Sequence, residues 1–180
     1  MNPRVVGVLL AAGAGQRYGK PKVLVDRWLA TAVSALQDGG CDDVILVLGA
    51  ADVPAPPGVT AITAPQWHQG LSASLRTGLG QAERMGADYA VLHVIDTPDV
   101  GAAVVTRVLD RAVASASGLA RAYFRDRPGH PVVIARWHWP GVRARVSGDQ
   151  GAAAYLRTRQ DVEIVDCGDL ANGGDIDEPA

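Results

Sequence analysis

The sequence predicts a three-layer α/β fold, with a mostly parallel mixed sheet covered by helices on both faces. Three observations carry this. Short runs rich in Val and Ile recur along the chain with little polar alternation, as in strands buried on both faces. Helical periodicity fills the intervals between those runs, which is the signature of β-α units. A glycine-rich loop follows the first run directly, where open α/β sheets carry their ligand loops. At 180 residues the chain suits one domain, spanning 1–180, with one core.

The first strand is VVGVLLA (5–11), running straight into the loop AGAGQRYGKPK. A helix follows in DRWLATAVSALQDGG, where Trp28, Leu29, Ala32, Val33 and Leu36 fall on one face. Asp26 is placed to cap its start, and Gly39-Gly40 ends it. VILVLGA (44–50) is the second strand, PAPPG (54–58) a rigid loop, and VTAITA (59–64) a weaker strand. LSASLRTGLGQAERMG (71–86) is helical, YAVLHVI (89–95) is a strand, and PDVGAAVVTRVLDRAVASAS (98–117) is helical again. In AYFRDRPGHPVVIA two strand-like runs flank the turn residues DRPG, which predicts an antiparallel excursion ending in HPVVIA (130–135). A last helix over 148–160 and a last strand VEIVDC (162–167) complete the pattern.

Composition narrows the function classes. Apolar residues make up 48% of the chain, enough for a sizeable core, yet no apolar stretch reaches the length of a membrane span. The N-terminus runs into a glycine loop and reads as a strand rather than a signal peptide. Cys41 and Cys167 lie far apart with no CxxC spacing, as expected of reduced, buried thiols in a cytoplasmic protein. A net charge of −2 with interspersed signs argues against a general nucleic-acid surface. It leaves room for one local cationic pocket.

The loop LLAAGAGQRYGKPK (9–22) concentrates the chemistry. Its glycines, Gly13, Gly15 and Gly19, give GxGxxxG rather than the dinucleotide fingerprint, and Pro21 stands where that fold would start a helix. A triphosphate P-loop is excluded because no GK[ST] is present. Small residues from Ala11 to Gly15 let backbone N–H groups approach a phosphate or a base edge. Arg17 can fork onto phosphate oxygens, and Lys22 can place a point charge on one. An ordinary β-to-α turn with a solvated charged rim is the plain alternative.

Further along, Asp96 sits at the C-terminal end of an apolar strand, where ligands of open α/β sheets bind. It can also cap a helix ahead of Pro98. Gly70, Ser72 and Ser74 precede or open a helix whose N-terminus offers free N–H groups. Ser72 can equally be a simple cap. Asp149 can cap the last helix, and edge packing explains His130. Trp67, Trp137 and Trp139 can stack on a flat heterocycle or pack under loops. His68 and His138 have no metal-ligand spacing.

Taken together, these stretches resemble the MobA-like nucleotidyltransferases. The loop is similar to that family's LAAGxGxRMGxPK signature, QWHQGLSASLRTGL (66–79) to its base-and-ribose segment, and VIDTPDV (94–100) to its Asp-x-Pro motif. GHPVVIA, SGDQGAAAYL and DIDEP look like motifs of the molybdenum cofactor cytidylyltransferase branch, so the resemblance covers nearly the whole chain. It implies the three-layer, Rossmann-like nucleotidyltransferase fold and transfer of a nucleotide from CTP, or else GTP, to a phosphorylated acceptor of molybdopterin type, with release of pyrophosphate.

The same resemblance implies the site. Arg17, Lys22 and Asp96 would be catalytic. Leu10, Ala11, Ala12, Gly13, Gly15, Gly70, Ser72 and Ser74 would hold the nucleotide. His130, Asp149 and Gln150 would meet the acceptor, and Asp96 with Asp177 would hold Mg²⁺. A molybdoenzyme would be a plausible downstream partner. The nucleophile is already anionic, so such catalysis rests on alignment and charge neutralisation rather than on a strong base.

The chain departs from the family pattern in three places. Tyr18 replaces the usual methionine, residues are missing between Val25 and Trp28, and the chain ends at DIDEPA. The shortened loop and end leave open a non-catalytic carrier of a nucleotide or pterin cofactor. An oxidoreductase of the same fold is a third possibility, against which the missing GxGxxG weighs.

Overall fold

Strand β1 (Val5–Leu10) is buried at every residue and lies inside a seven-stranded sheet, third from one edge. The structure is a computed structural model and describes residues 1–180. The remaining elements follow as α1 (Trp28–Asp38), β2 (Asp43–Leu48), β3 (Val59–Thr63), α2 (Leu71–Arg84), β4 (Tyr89–Val94), α3 (Ala102–Ala114), β5 (Leu119–Phe124), β6 (Arg127–Ala135), α4 (Trp139–Arg145), α5 (Ala153–Leu156) and β7 (Glu163–Asp166). The sheet order is β3-β2-β1-β4-β6-β5-β7. Strands β3, β2, β1 and β4 are mutually parallel, β6 runs antiparallel to both β4 and β5, and β7 is parallel to β5.

Both faces are covered, which is why the strands are apolar on both sides. Leu9, Leu46 and Val91 point to a core shared with α1 and α3. Val8, Ile45 and Leu92 point to a second core shared with α2, α4 and α5. Each fully buried Leu or Ile contributes roughly 1.5–3 kcal/mol of transfer free energy. Helix α2 lies close to β1, because Gly78 brings its backbone over Val8; a Cβ on Gly78 would stand 2.5 Å from Val8 Cγ1.

Four sequence expectations need correction. Asp26 does not cap α1; Arg27 occupies that position in a left-handed conformation (φ 66°), with no side-chain cap. The hairpin turn is Arg125-Asp126 alone, both with positive φ, and Pro128 and Gly129 already belong to β6. A two-residue turn of that hand matches the twist of the flanking strands. The last helix shrinks from 148–160 to α5, because Gly148 and Gly151 keep the preceding residues in a loop. Finally, α4 was not expected: Trp-Pro-Gly looks like a break, but Pro140 sits in the first turn, where its missing N–H costs nothing.

No helix is long and apolar enough to cross a membrane. Both cysteines are buried free thiols, and burial pushes Cys41 up to about 12.

Candidate functional site

Topology fixes where a ligand can enter. From β1 the chain builds β2 and β3 on one side, then returns to place β4 on the other. The loops leaving β1 and β4 therefore diverge and open a crevice at the strands' C-terminal ends. A cavity of about 660 Å³ lies there, within the usual range for small-molecule sites. The loop 11–18 and Lys22 line one side of it, and Trp67, His68, Gly70, Leu71 and Ser74 another. Asp96, Asp175 and Asp177 stand at one end, with His130 and Asp149 also in the wall.

The β1 loop owes its shape to its glycines. Gly15 has φ 64°, and a Cβ there would overlap the Lys20 carbonyl, so the loop can fold back on itself only with glycine. Gly13 differs: a Cβ would meet no protein atom, and the open space beside it is the cavity. Lys22–Leu24 form a single 3-10 turn, and in the shortened stretch that follows only Val25, Asp26 and Arg27 separate it from α1. Tyr18 packs its ring against Trp28 at 5.3 Å, steadying the shortened connection.

Lys22 is the electrostatic centre. Its Nζ donates to Asp96 Oδ2 at 2.8 Å and to Asp177 Oδ1 at 3.0 Å. Arg17 reaches the same Asp177 oxygen at 3.3 Å. Burial alone would lower the Lys22 pKa, but the two carboxylates outweigh it and hold the ammonium above its ordinary value. Asp177 is lowered in turn, chiefly by the Lys22 hydrogen bond. Asp175 is raised, first by burial and then by the charges of Asp96 and Asp177.

Asp177 keeps its place although the chain ends three residues later. The Ile176 N–H donates to the Asp96 carbonyl, and the Asn172 and Gly173 N–H groups donate to Asp99. These bonds strap the terminal segment to the loop after β4.

The residues present fit a divalent cation bound with an anionic ligand. Four carboxylates line the cavity against two cations, Arg17 and Lys22. No three His, Cys, Asp or Glu side chains converge to cage a metal alone. The arrangement matches a hard cation that takes one or two carboxylates and completes its shell with phosphate oxygens and water. The Lys22 ammonium already occupies a cation's position between two of those carboxylates.

Most of the expected site residues meet here: Leu10, Ala11, Ala12, Gly13, Gly15, Arg17, Lys22, Gly70, Ser74, Asp96, His130, Asp149 and Asp177 all line the cavity. Gly70 (φ 109°) lets the backbone pass under Asp149, whose carboxylate covers the place of its absent Cβ. Two residues lie elsewhere. Ser72 is buried in the first turn of α2, where its N–H donates to the Gly148 carbonyl and its side chain makes no cap. Gln150 is exposed in the loop before α5, next to Ser147.

Of the tryptophans only Trp67 reaches the cavity, edge-on to His68 at 6.1 Å. Trp139 is fully buried and donates to the Ile134 carbonyl, while Trp137 packs on Tyr89 and His138. Asp175 was missed because sequence distance from Asp96 hides their proximity. Its signal was the DIDEP stretch itself.

Behind the site, His93 Nδ1 and Thr97 Oγ1 are buried without hydrogen-bond partners. Burial lowers His93 to about 4. His130 is pushed to about 3 by burial first, then by the neighbouring His93 and Arg121.

Comparison with known proteins agrees with this architecture. Residues 7–163 match the model of the MobA-like NTP transferase domain. The nicotine blue oxidoreductase of Paenarthrobacter nicotinovorans is 32% identical over 97% of this chain and 93% of its own length. A molybdenum cofactor guanylyltransferase of Rhodobacter capsulatus is 31% identical over 67% of this chain and 66% of its own. Neither is a cytidylyltransferase, so the branch suggested by the sequence motifs is not the one these relatives name.

Among solved structures, Rv0371c of Mycobacterium tuberculosis H37Rv in complex with manganese superimposes with a TM-score of 0.72. It is 26% identical and covers 91% of this chain and 88% of that one. A Methanothermobacter nucleotidyl transferase reaches a TM-score of 0.81 at 19% identity, covering 98% and 93%, and shows the shared fold.

Proposed function

The chain belongs to the MobA-like NTP transferase family, and from that membership we propose that it is a divalent-cation-dependent nucleotidyltransferase. It would join the nucleotide of an NTP to a phosphorylated acceptor and release pyrophosphate. The observation that carries this reading is the Lys22 ammonium held between Asp96 and Asp177 beside a side-chain-free backbone loop. A triphosphate would be repelled by the four carboxylates of the cavity unless a cation came with it.

In this reading the backbone from Leu10 to Gly15 receives the base and phosphates, while Gly70 and Ser74 bound the ribose side. Asp96 and Asp177 would hold Mg²⁺, which when bound would supply Lewis-acid charge to the phosphate being transferred. Lys22 and Arg17 turn from the carboxylates to the triphosphate and neutralise charge gathering on the leaving pyrophosphate. The acceptor's phosphate oxygen forms the new P–O bond as the bond to pyrophosphate breaks, and no general base is required. The motifs of the cytidylyltransferase branch favour CTP as donor and a molybdopterin-type acceptor, whose product would pass to a molybdoenzyme; the Rhodobacter relative makes GTP the competing donor.

Ligand-dependent thermal stability tests this. A saturating NTP at ~100 times its Kd stabilises the fold by about 2.7 kcal/mol. That gain should require Mg²⁺ or Mn²⁺ and vanish in Asp96→Asn. If no NTP stabilises the protein with either metal, the proposal fails.

One observation favours a second reading. The Paenarthrobacter relative spans nearly the whole chain and is an oxidoreductase by name. Stabilisation by NADH rather than by an NTP would select that chemistry for this pocket.

A further inference from the structure

The segment after Ala171 has no helix or strand to hold it, yet it delivers Asp175 and Asp177 to the cavity. Chain ends stay loose unless something ties them down. From Asn172 onward the backbone donates three hydrogen bonds. The Asn172 and Gly173 N–H groups reach the Asp99 carboxylate at 2.8 and 3.2 Å, and the Ile176 N–H reaches the Asp96 carbonyl at 2.9 Å. Two of the three therefore depend on one side chain.

Asp99 is not used as its place in the sequence suggests. An Asp two residues ahead of the N-cap Gly101 reads as a helix-start signal, but α3 takes no side-chain cap. The carboxylate is exposed, belongs to no ion pair and lies outside the cavity wall. Its two hydrogen bonds both end on the same oxygen, Oδ2.

Gly173 gives the segment a second anchor. It is buried with φ 65°, and a Cβ there would overlap the Phe124 ring, so only glycine lets the chain lie against that ring. Three residues further on, after Gly174, Asp175 and Ile176, comes Asp177, whose Oδ1 accepts from Lys22 Nζ at 3.0 Å.

We propose that Asp99 is a positioning residue for the acidic end of the site: by holding the Asn172 and Gly173 amides it keeps Asp177 beside Asp96, where the two carboxylates can share one divalent cation. The cation rests on the nucleotidyltransferase reading; the placing of Asp177 by Asp99 does not. Without this clamp Asp177 sits on a free tail, and its effective concentration beside Asp96 falls with the volume the tail explores.

Two measurements on the full chain test this: amide hydrogen exchange at Ile176, and Mn²⁺ affinity in the presence of CTP or GTP. Asp99→Ala should speed the exchange and weaken Mn²⁺ binding, each by about tenfold or more, with the thermal midpoint nearly unchanged. Asp99→Asn should rescue both, because one side-chain oxygen accepts both bonds. Were Asp99 acting through its charge, Asn would behave as Ala does. Gly173→Ala leaves Asp99 in place but forces the chain off Phe124, and should reproduce the Asp99→Ala result. Asp177→Asn should weaken Mn²⁺ as much as Asp99→Ala, and the double variant no further.

Unchanged Ile176 exchange in Asp99→Ala would overturn the proposal, as would Mn²⁺ losses that add in the double variant or an Asn variant as weak as Ala. Should Asp99→Ala fail to fold, Gly173→Ala decides the matter on the same two readouts. A wild-type protein that binds no Mn²⁺ with either triphosphate sinks the transferase reading, and the exchange data alone then judge the placing of Asp177. Mn²⁺ and nucleotide binding that Asp99→Ala leaves intact sinks the positioning role alone.

Discussion

At the residue scale, Gly13 and Gly15 illustrate two different reasons for a glycine. Gly15 is required by the fold, whereas Gly13 borders only open cavity. Gly13→Val should therefore leave the thermal midpoint nearly unchanged while weakening NTP binding by tenfold or more, measured by calorimetry. A parallel loss of stability would mean that the space is not a ligand's. His93 makes a different prediction. Its folded pKa of about 4 lies below the ordinary 6.5, so the unfolded chain binds more protons between those values. The associated stability is complete above pH 6.5 and is lost as pH falls toward 4, by roughly 3 kcal/mol at most. His93→Leu also removes an unpartnered polar atom. Denaturant melts across this range should be visibly flatter for His93→Leu than for wild type, and equal slopes would refute the argument.

At the element scale, the sequence was informative wherever burial on both faces set the pattern. The Val- and Ile-rich runs of β1, β2 and β4 match their strands to within a residue or two. β3 reads weakly because its residues are only half-buried at the sheet edge. α4 was hidden by a proline that a first turn tolerates, and the 148–160 helix was over-read across glycines that stay in a loop. Close approach of α2 to β1 depends on Gly78, which periodicity cannot reveal. Gly78→Val should push the helix off the sheet and cost about 1–3 kcal/mol, the usual penalty for overpacking. An unchanged chemical-denaturation midpoint would show that the helix can shift without loss.

At the scale of the whole molecule, function comes from topology gathering residues that are distant in sequence. The β1 loop and Asp96 were legible because each carries a local motif at the end of an apolar strand. Asp175 joins them only because the terminal segment is strapped to the loop after β4. Trp67 reaches the cavity while Trp137 and Trp139 do not, a distinction that residue type alone cannot make.

The central claim is that the acidic end of the cavity, closed by Lys22 in the free protein, receives a divalent cation together with a nucleotide. Mn²⁺ affinity measured by electron paramagnetic resonance, with and without CTP or GTP, tests it most directly. We predict weak Mn²⁺ binding alone, at least tenfold tighter binding with one of the triphosphates, and tighter nucleotide-free binding in Lys22→Gln, where the carboxylates lose their internal counter-ion. Mn²⁺ affinity that neither nucleotide nor Lys22→Gln alters would contradict the account.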